Sequence, residues 1–97
     1  MNYELLMQIG LTINDKKRGQ VIIGGADPKF SFDNTKGLNI VDKYIMVKTT
    51  TEELRFKVKK LDISTSIAEK LNIGIIIYDS DDFIKIKAGD EVYRVLS

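Results

Sequence analysis

Leu54-Arg55-Phe56-Lys57-Val58-Lys59-Lys60-Leu61-Asp62-Ile63 is the stretch that decides the fold. Leu54, Phe56 and Val58 alternate with Arg55, Lys57 and Lys59. This is the period-two pattern of a strand with one buried face. Lys60 breaks the alternation, and Leu61 and Ile63 resume it on the opposite parity. One extra residue in one strand of an antiparallel pair produces that shift, so a β-bulge is expected here.

Working outward, the same period recurs. Leu5, Met7, Ile9, Leu11 and Ile13 alternate with other residues, which predicts a long half-buried strand. Asn14 to Gly19 is a polar turn ending in glycine. Val21-Ile22-Ile23 is a β-branched strand stopped by Gly24-Gly25. Ala26 to Lys36 holds the only proline, Pro28, and reads as a loop or short strand with Phe30 and Phe32 on one face. Gly37 to Asp42 is a turn into a strand at Lys43 to Thr49, and Thr50-Thr51-Glu52-Glu53 is a hairpin turn. Ser66-Ile67-Ala68-Glu69 fits a capping box and suits one helical turn at most. Ile73-Gly74-Ile75-Ile76-Ile77-Tyr78 is short, apolar and β-branched, which predicts a central strand covered on both faces. After the turn Asp79 to Asp82, Ile84 and Ile86 alternate with Lys85 and Lys87. Ala88 to Glu91 turns the chain into a closing strand, Val92 to Leu96. Many short strands with regular turns point to an all-β barrel or sandwich, with no sustained helical period.

Composition bounds the chemistry. The chain of 97 residues fits one domain, with no internal boundary. It has no cysteine and no histidine, so disulfides, thiolate metal sites and His-dependent triads cannot be built from it. The expectation is a non-enzyme without cofactor or metal. The net charge of +1 gives no global drive toward nucleic acid or an anionic membrane. No apolar run reaches a transmembrane length and the start lacks a basic signal region, so a cytoplasmic location is expected.

Four ordered segments resemble domain II of the elongation factor Tu and SelB class of translation GTPases. Arg18-Gly19-Gln20-Val21-Ile22-Ile23-Gly24-Gly25 is similar to the family's Arg-Gly-Thr-Val-Val-Thr-Gly strand, with Leu6-Met7-Gln8-Ile9 upstream where the family has Leu-Met-Pro-Ile. Gly37 to Tyr44 resembles its glycine and Val-Gly-Asp turn, with Val41 in place of the glycine before Asp42. Phe56 to Ile63, followed by Ala68 to Ile75, looks like its Val-x-x-Val-Glu-Met strand and Gly-Asp-Asn-Val-Gly turn. Ile86 to Tyr93 matches the closing Arg-x-Gly-Asp-x-Val segment, and also resembles small stand-alone elongation-factor-like proteins. The resemblance implies a closed Greek-key-like barrel of about six antiparallel strands. No Gly-x-x-x-x-Gly-Lys-Ser/Thr loop occurs, so nucleotide binding is not expected.

The resemblance also implies a site. In family members that bind aminoacyl-tRNA, an acidic residue and an asparagine of domain II lie by the RNA 3′ end, and Asp62 and Asn72 occupy the matching positions. The alternative is a surface carboxylate and a turn residue. The family's first strand carries acids and an aromatic ring where this chain has Gly10, Leu11 and Ile13. Lys16, Lys17 and Arg18, with Lys57, Lys59 and Lys60, are candidates for a basic patch facing phosphates, or else solvated lysines that discourage edge aggregation. Phe30 and Phe32 are candidate partner anchors, or caps on the barrel mouth. Asp79, Asp81 and Asp82 lack the spacing of a calcium loop. The expected function is a stand-alone binding module contacting RNA (tRNA or ribosome) or a translation protein. The alternative is a protein–protein adaptor that kept the barrel and lost the RNA pocket.

Overall fold

In the computed structural model, described over residues 2–35, 38–66 and 70–96 (without the side chains of residues 32 and 34), the chain is a closed six-stranded antiparallel barrel. Its strands are β1 (Tyr3–Asp15), β2 (Gly19–Ala26), β3 (Tyr44–Lys48), β4 (Glu53–Thr65), β5 (Leu71–Ile77) and β6 (Glu91–Val95). Around the barrel the order is β1-β2-β5-β4-β3-β6, every neighbouring pair antiparallel. Consecutive strands pair as β1-β2, β3-β4 and β4-β5, while the β2-β3 and β5-β6 connections cross the barrel to strands that are not neighbours, as in Greek-key-like folds. Among the described residues the helical parts are one α-turn, α1 (Phe32–Thr35), and one 3-10 turn, η1 (Asp81–Lys85). No helix among the described residues is long and apolar enough to cross a membrane.

The alternating sequence pattern fills the interior. Phe56, Val58, Ile45, Val47, Ile73, Ile75, Ile77, Ile22 and Val92 are buried on the inward parity of their strands. Leu38, Ile40, Phe83 and Ile86 join this core from the connections. The hairpin ends follow turn chemistry. Gly19 takes φ +90°, which closes the three-residue β1-β2 loop without a Cβ penalty. The Asp15 carboxylate accepts from the Lys17 amide at 2.9 Å within the same loop. At the β3-β4 hairpin the Thr49 hydroxyl oxygen accepts from the amides of Thr51 and Glu52 at 3.2 and 3.0 Å.

The expected bulge in β4 is present: the β4-β5 register shifts between Val58 and Lys60. Two further shifts lie in β1, between Leu5 and Met7 against β6 and between Ile9 and Leu11 against β2. Bulges bend and twist a strand. Here they let β1 and β4, each of 13 residues, serve both sides of the barrel.

Several local expectations need correction. Leu11 is on the outward face and 53% exposed, because the bulge after Ile9 reverses the parity that the simple alternation implies. Gly24 and Gly25 do not stop β2, which runs through them to Ala26. After Ala26, where β2 ends, the described residues of the segment up to Lys36 form the α1 turn and no further strand. The Ile84 and Ile86 alternation forms no strand: Ser80 caps η1 by accepting from the Asp82 amide, Phe83 and Ile86 turn inward, and Ile84 faces solvent. Of the capping box expected at Ser66 to Glu69, Ile67, Ala68 and Glu69 lie outside the described residues.

Candidate functional site

The outer face of β1-β2-β5-β4 is built from three lines of residues in register. Ile13, Val21, Ile76 and Lys60 form one line, and Leu11, Ile23, Gly74 and Asp62 the next. Gly25, Asn72 and Ser64 continue the third. Glycine at position 74 removes the side chain from the middle of the face. The result is a groove of about 450 Å³ with an apolar floor of Ile13, Val21, Ile23 and Ile76. Its rim carries Arg18 and Lys60 at one end and Asp62, Ser64 and Asn72 along one side. β5 is therefore covered on its inner face only, whereas the sequence predicts cover on both.

Arg18, Asp62 and Asn72 are thus brought together on one surface by three different elements. The β1-β2 hairpin carries Arg18, and the strand after the β4 bulge carries Asp62. Asn72 projects from β5 directly across from Ser64, which makes it a diagonal neighbour of Asp62, roughly 7–8 Å away on the same face. Among the described residues, no ion pair joins Arg18 or Lys60 to Asp62. Both signs of charge on the rim stay available to a ligand.

The groove opens at each end. At the hairpin end, Lys16, Lys17, Arg18 and Lys59 share a depression with Asp15, Asp79 and Asp81. The η1 approach is fixed there by Gln20, whose side-chain amide donates to the Ser80 carbonyl at 3.0 Å and accepts from the Ser80 amide at 2.9 Å. The cluster is mixed in sign and does not make a purely basic patch. At the far end, Phe30, Pro28 and Lys70 line a second depression that shares Asn72 with the groove. Phe30 is half-buried and packs against the core, with the Lys29 ammonium 5.3 Å from its ring centroid. Phe32 opens α1, and its side chain lies outside the described residues.

Lys57 is not part of this surface. The bulge at Lys59 separates it from Lys60, and it pairs with Tyr44 on the adjacent strand β3. Its ammonium stands 5.6 Å over the Tyr78 ring. The Tyr78 hydroxyl in turn donates to Asp42 at 2.8 Å, which raises the phenol pKa above its ordinary 10.0 through that hydrogen bond first and the carboxylate charge second. Asp42 is the one described non-glycine residue with positive φ, 65°.

The apolar floor was not anticipated from the sequence. The available signal was the unbroken β-branched runs Val21-Ile22-Ile23 and Ile75-Ile76-Ile77, in which the outward parity is as apolar as the inward one. Among the described residues no group of His, Cys, Asp or Glu is arranged to hold a metal ion. Comparison with protein-family models, with curated proteins and with solved structures finds no match to this chain.

Proposed function

We propose that the chain is a non-catalytic binding module that holds an unpaired RNA end, of tRNA or the ribosome, in the groove on β1-β2-β5-β4. The observation that carries this reading is the convergence of Arg18, Asp62 and Asn72 on one apolar-floored surface. A cation at the rim suits a phosphate. A carboxylate, an amide and a hydroxyl (Asp62, Asn72, Ser64) suit ribose hydroxyls and base edges, the groups through which single-stranded RNA is read. The apolar floor offers base or ribose faces a dry surface. The chain has no histidine or cysteine, which supports binding without catalysis.

The adaptor reading has its own support: Asp15, Asp79 and Asp81 stand among the basic residues at the hairpin end, and the floor is apolar. A fluorescence titration against tRNA and ribosomal subunits at low and moderate salt separates the two. RNA binding predicts an affinity that falls with salt, with a log–log slope of roughly 0.7 per phosphate contact on a single strand. It also predicts a shallower slope in Arg18→Ala. The absence of salt-dependent binding to either RNA would remove the RNA reading. A specific protein partner retained after nuclease treatment would then favour the adaptor.

A further inference from the structure

The barrel has a second worked surface, on the side away from the groove. All four tyrosines of the chain reach the outside there. Across β1-β6-β3-β4 the register lines up Leu5, Tyr93, Met46 and Arg55. On one side of that line run Tyr3 and Val95, then Tyr44 and Lys57. On the other run Gln8, Glu91, Lys48 and Glu53. Tyr78 adjoins Lys57, donating its backbone amide to the Lys57 carbonyl at 2.9 Å.

This face is ordered by its own contacts. Met46 has outward parity yet is only 4% exposed. Arg55 reaches across the intervening strands to donate to the Tyr3 hydroxyl at 3.1 Å, and the Tyr3 and Tyr93 rings meet edge to face at 6.5 Å and 73°. The Tyr93 hydroxyl donates to Glu91 at 3.1 Å. Side chains held in place this way lose little further freedom when a partner arrives. Tyr44 and Tyr78 remain 53% and 43% exposed. Tyrosine, methionine and arginine are the residues enriched at interface centres.

We infer that this face pairs two copies of the chain, sheet against sheet, about a two-fold axis running along the strands. The charge pattern selects that occupant. Lys48, Arg55 and Lys57 are balanced by Glu53, Glu91 and Asp42, which gives no field to draw a phosphate backbone. In a face-to-face pair with that axis, β6 of one copy lies on β3 of the other. Glu91 then meets the second copy's Lys48, and the reverse contact repeats it. Tyr93 covers Met46, and Val95 meets Tyr44. No like charges meet. An axis perpendicular to the strands would set Arg55 against its own copy, so the parallel axis is the one the surface fits. Four strands about 4.8 Å apart make a patch of only a few hundred Å², below the ~800 Å² per partner of a standard interface. The dimer is therefore concentration-dependent, with a dissociation constant on the order of micromolar or weaker. The groove on β2 and β5 stays open in both copies.

Analytical ultracentrifugation of the full chain from about 5 µM to about 1 mM tests this. The sedimentation coefficient is expected to rise toward that of a dimer across the range. Tyr44→Asp, at an exposed position, should weaken association at least tenfold with an unchanged melting temperature. Lys48→Glu should weaken it, and adding Glu91→Lys to the same chain should restore it by recreating both cross-copy pairs. A chain that sediments as a monomer throughout overturns the inference. So does a dimer indifferent to both Tyr44→Asp and Lys48→Glu, since its contact would lie on another face.

Discussion

Asp62 lies directly opposite Gly74 in the β4-β5 ladder, so the only side chain at that rung on the outer face is the carboxylate. A Cβ built on Gly74 would stand 3.8 Å from the Asp62 Cβ, an ordinary contact with room to spare. The open groove therefore depends on a missing side chain that the fold itself does not require. Gly74→Val should fill the floor beside Asp62 and leave the barrel intact. Valine also suits a strand better than glycine, so the melting temperature is expected to hold or rise by a few degrees. Titration with tRNA should lose at least tenfold in affinity, about 1.4 kcal/mol.

The adjacent glycines of β2 should separate cleanly. A Cβ on Gly24 would come 2.1 Å from the Gln8 carbonyl oxygen and 3.1 Å from the Met7 sulfur, and the first of these is backbone that cannot swing away. Gly24→Ala is expected to cost roughly 3 kcal/mol or more, in the range of severe core disruptions. Around Gly25 a Cβ meets nothing within 4 Å. Gly25→Ala should stay within about 0.5 kcal/mol of the parent, or stabilise slightly by restricting the unfolded chain. Urea melts of the two variants check both values.

Gln20 joins β2 to the start of η1 through two hydrogen bonds with Ser80, in a part-buried setting. Gln20→Ala leaves both backbone groups of Ser80 without that partner. The expected cost is about 1–3 kcal/mol. Because η1 places Phe83 in the core, amide exchange should quicken in Asp81–Lys85 before it does in β5. Hydrogen exchange followed by NMR reads this directly.

The Tyr78–Asp42 contact gives a pH dependence. The phenol donates to the carboxylate, which holds its folded pKa above the unfolded 10.0. The sign follows from the raised value: the contact contributes fully below pH 10 and is lost as pH rises through the folded pKa. Asp42→Asn keeps a side chain that tolerates the left-handed backbone at φ 65° and removes the charge. Ultraviolet titration of tyrosinate should show one phenol moving to lower pH in Asp42→Asn. Tyr93, raised first by burial and then by its bond to Glu91, should remain above 10.0 in both proteins.

The barrel was legible wherever one face is apolar and the other polar. Leu54, Phe56 and Val58 predicted β4, and the parity change at Lys60 predicted its bulge, because a one-residue shift leaves a mark that only a strand can show. Where both faces are apolar that logic fails. In β5 the run of isoleucines looked like a strand buried on both sides, yet Asn72, Gly74 and Ile76 open on the groove. In β1 the bulge after Ile9 falls at Gly10, a residue without a side chain to report its parity, so the alternation alone implies an inward Leu11. The short alternation of Ile84 and Ile86 gave way to η1 because Ser80 caps a helical turn there.

Part of the groove's lining coincides with candidate residues named from the sequence. The resemblance to translation-factor domain II points to Asp62 and Asn72, the basic run points to Arg18, and the three line one groove. Adjacency along the chain groups Lys57 with Lys59 and Lys60, and all three are exposed, but Lys57 pairs with Tyr44 of β3 and stands over Tyr78, whereas Lys60 pairs with Ile76 on the groove. The apolar floor was hidden because outward isoleucines and inward ones are indistinguishable within a β-branched run.

The most direct test of the groove is residue-resolved. Backbone-amide NMR of the labelled chain, titrated with tRNA at low salt, should shift Ile13, Val21, Ile23, Asp62, Asn72 and Gly74 together, while Met46, Tyr93 and Val95 stay in place. Shifts confined to the strands on the far side of the barrel, or a spectrum that does not change as RNA is added, would contradict the account.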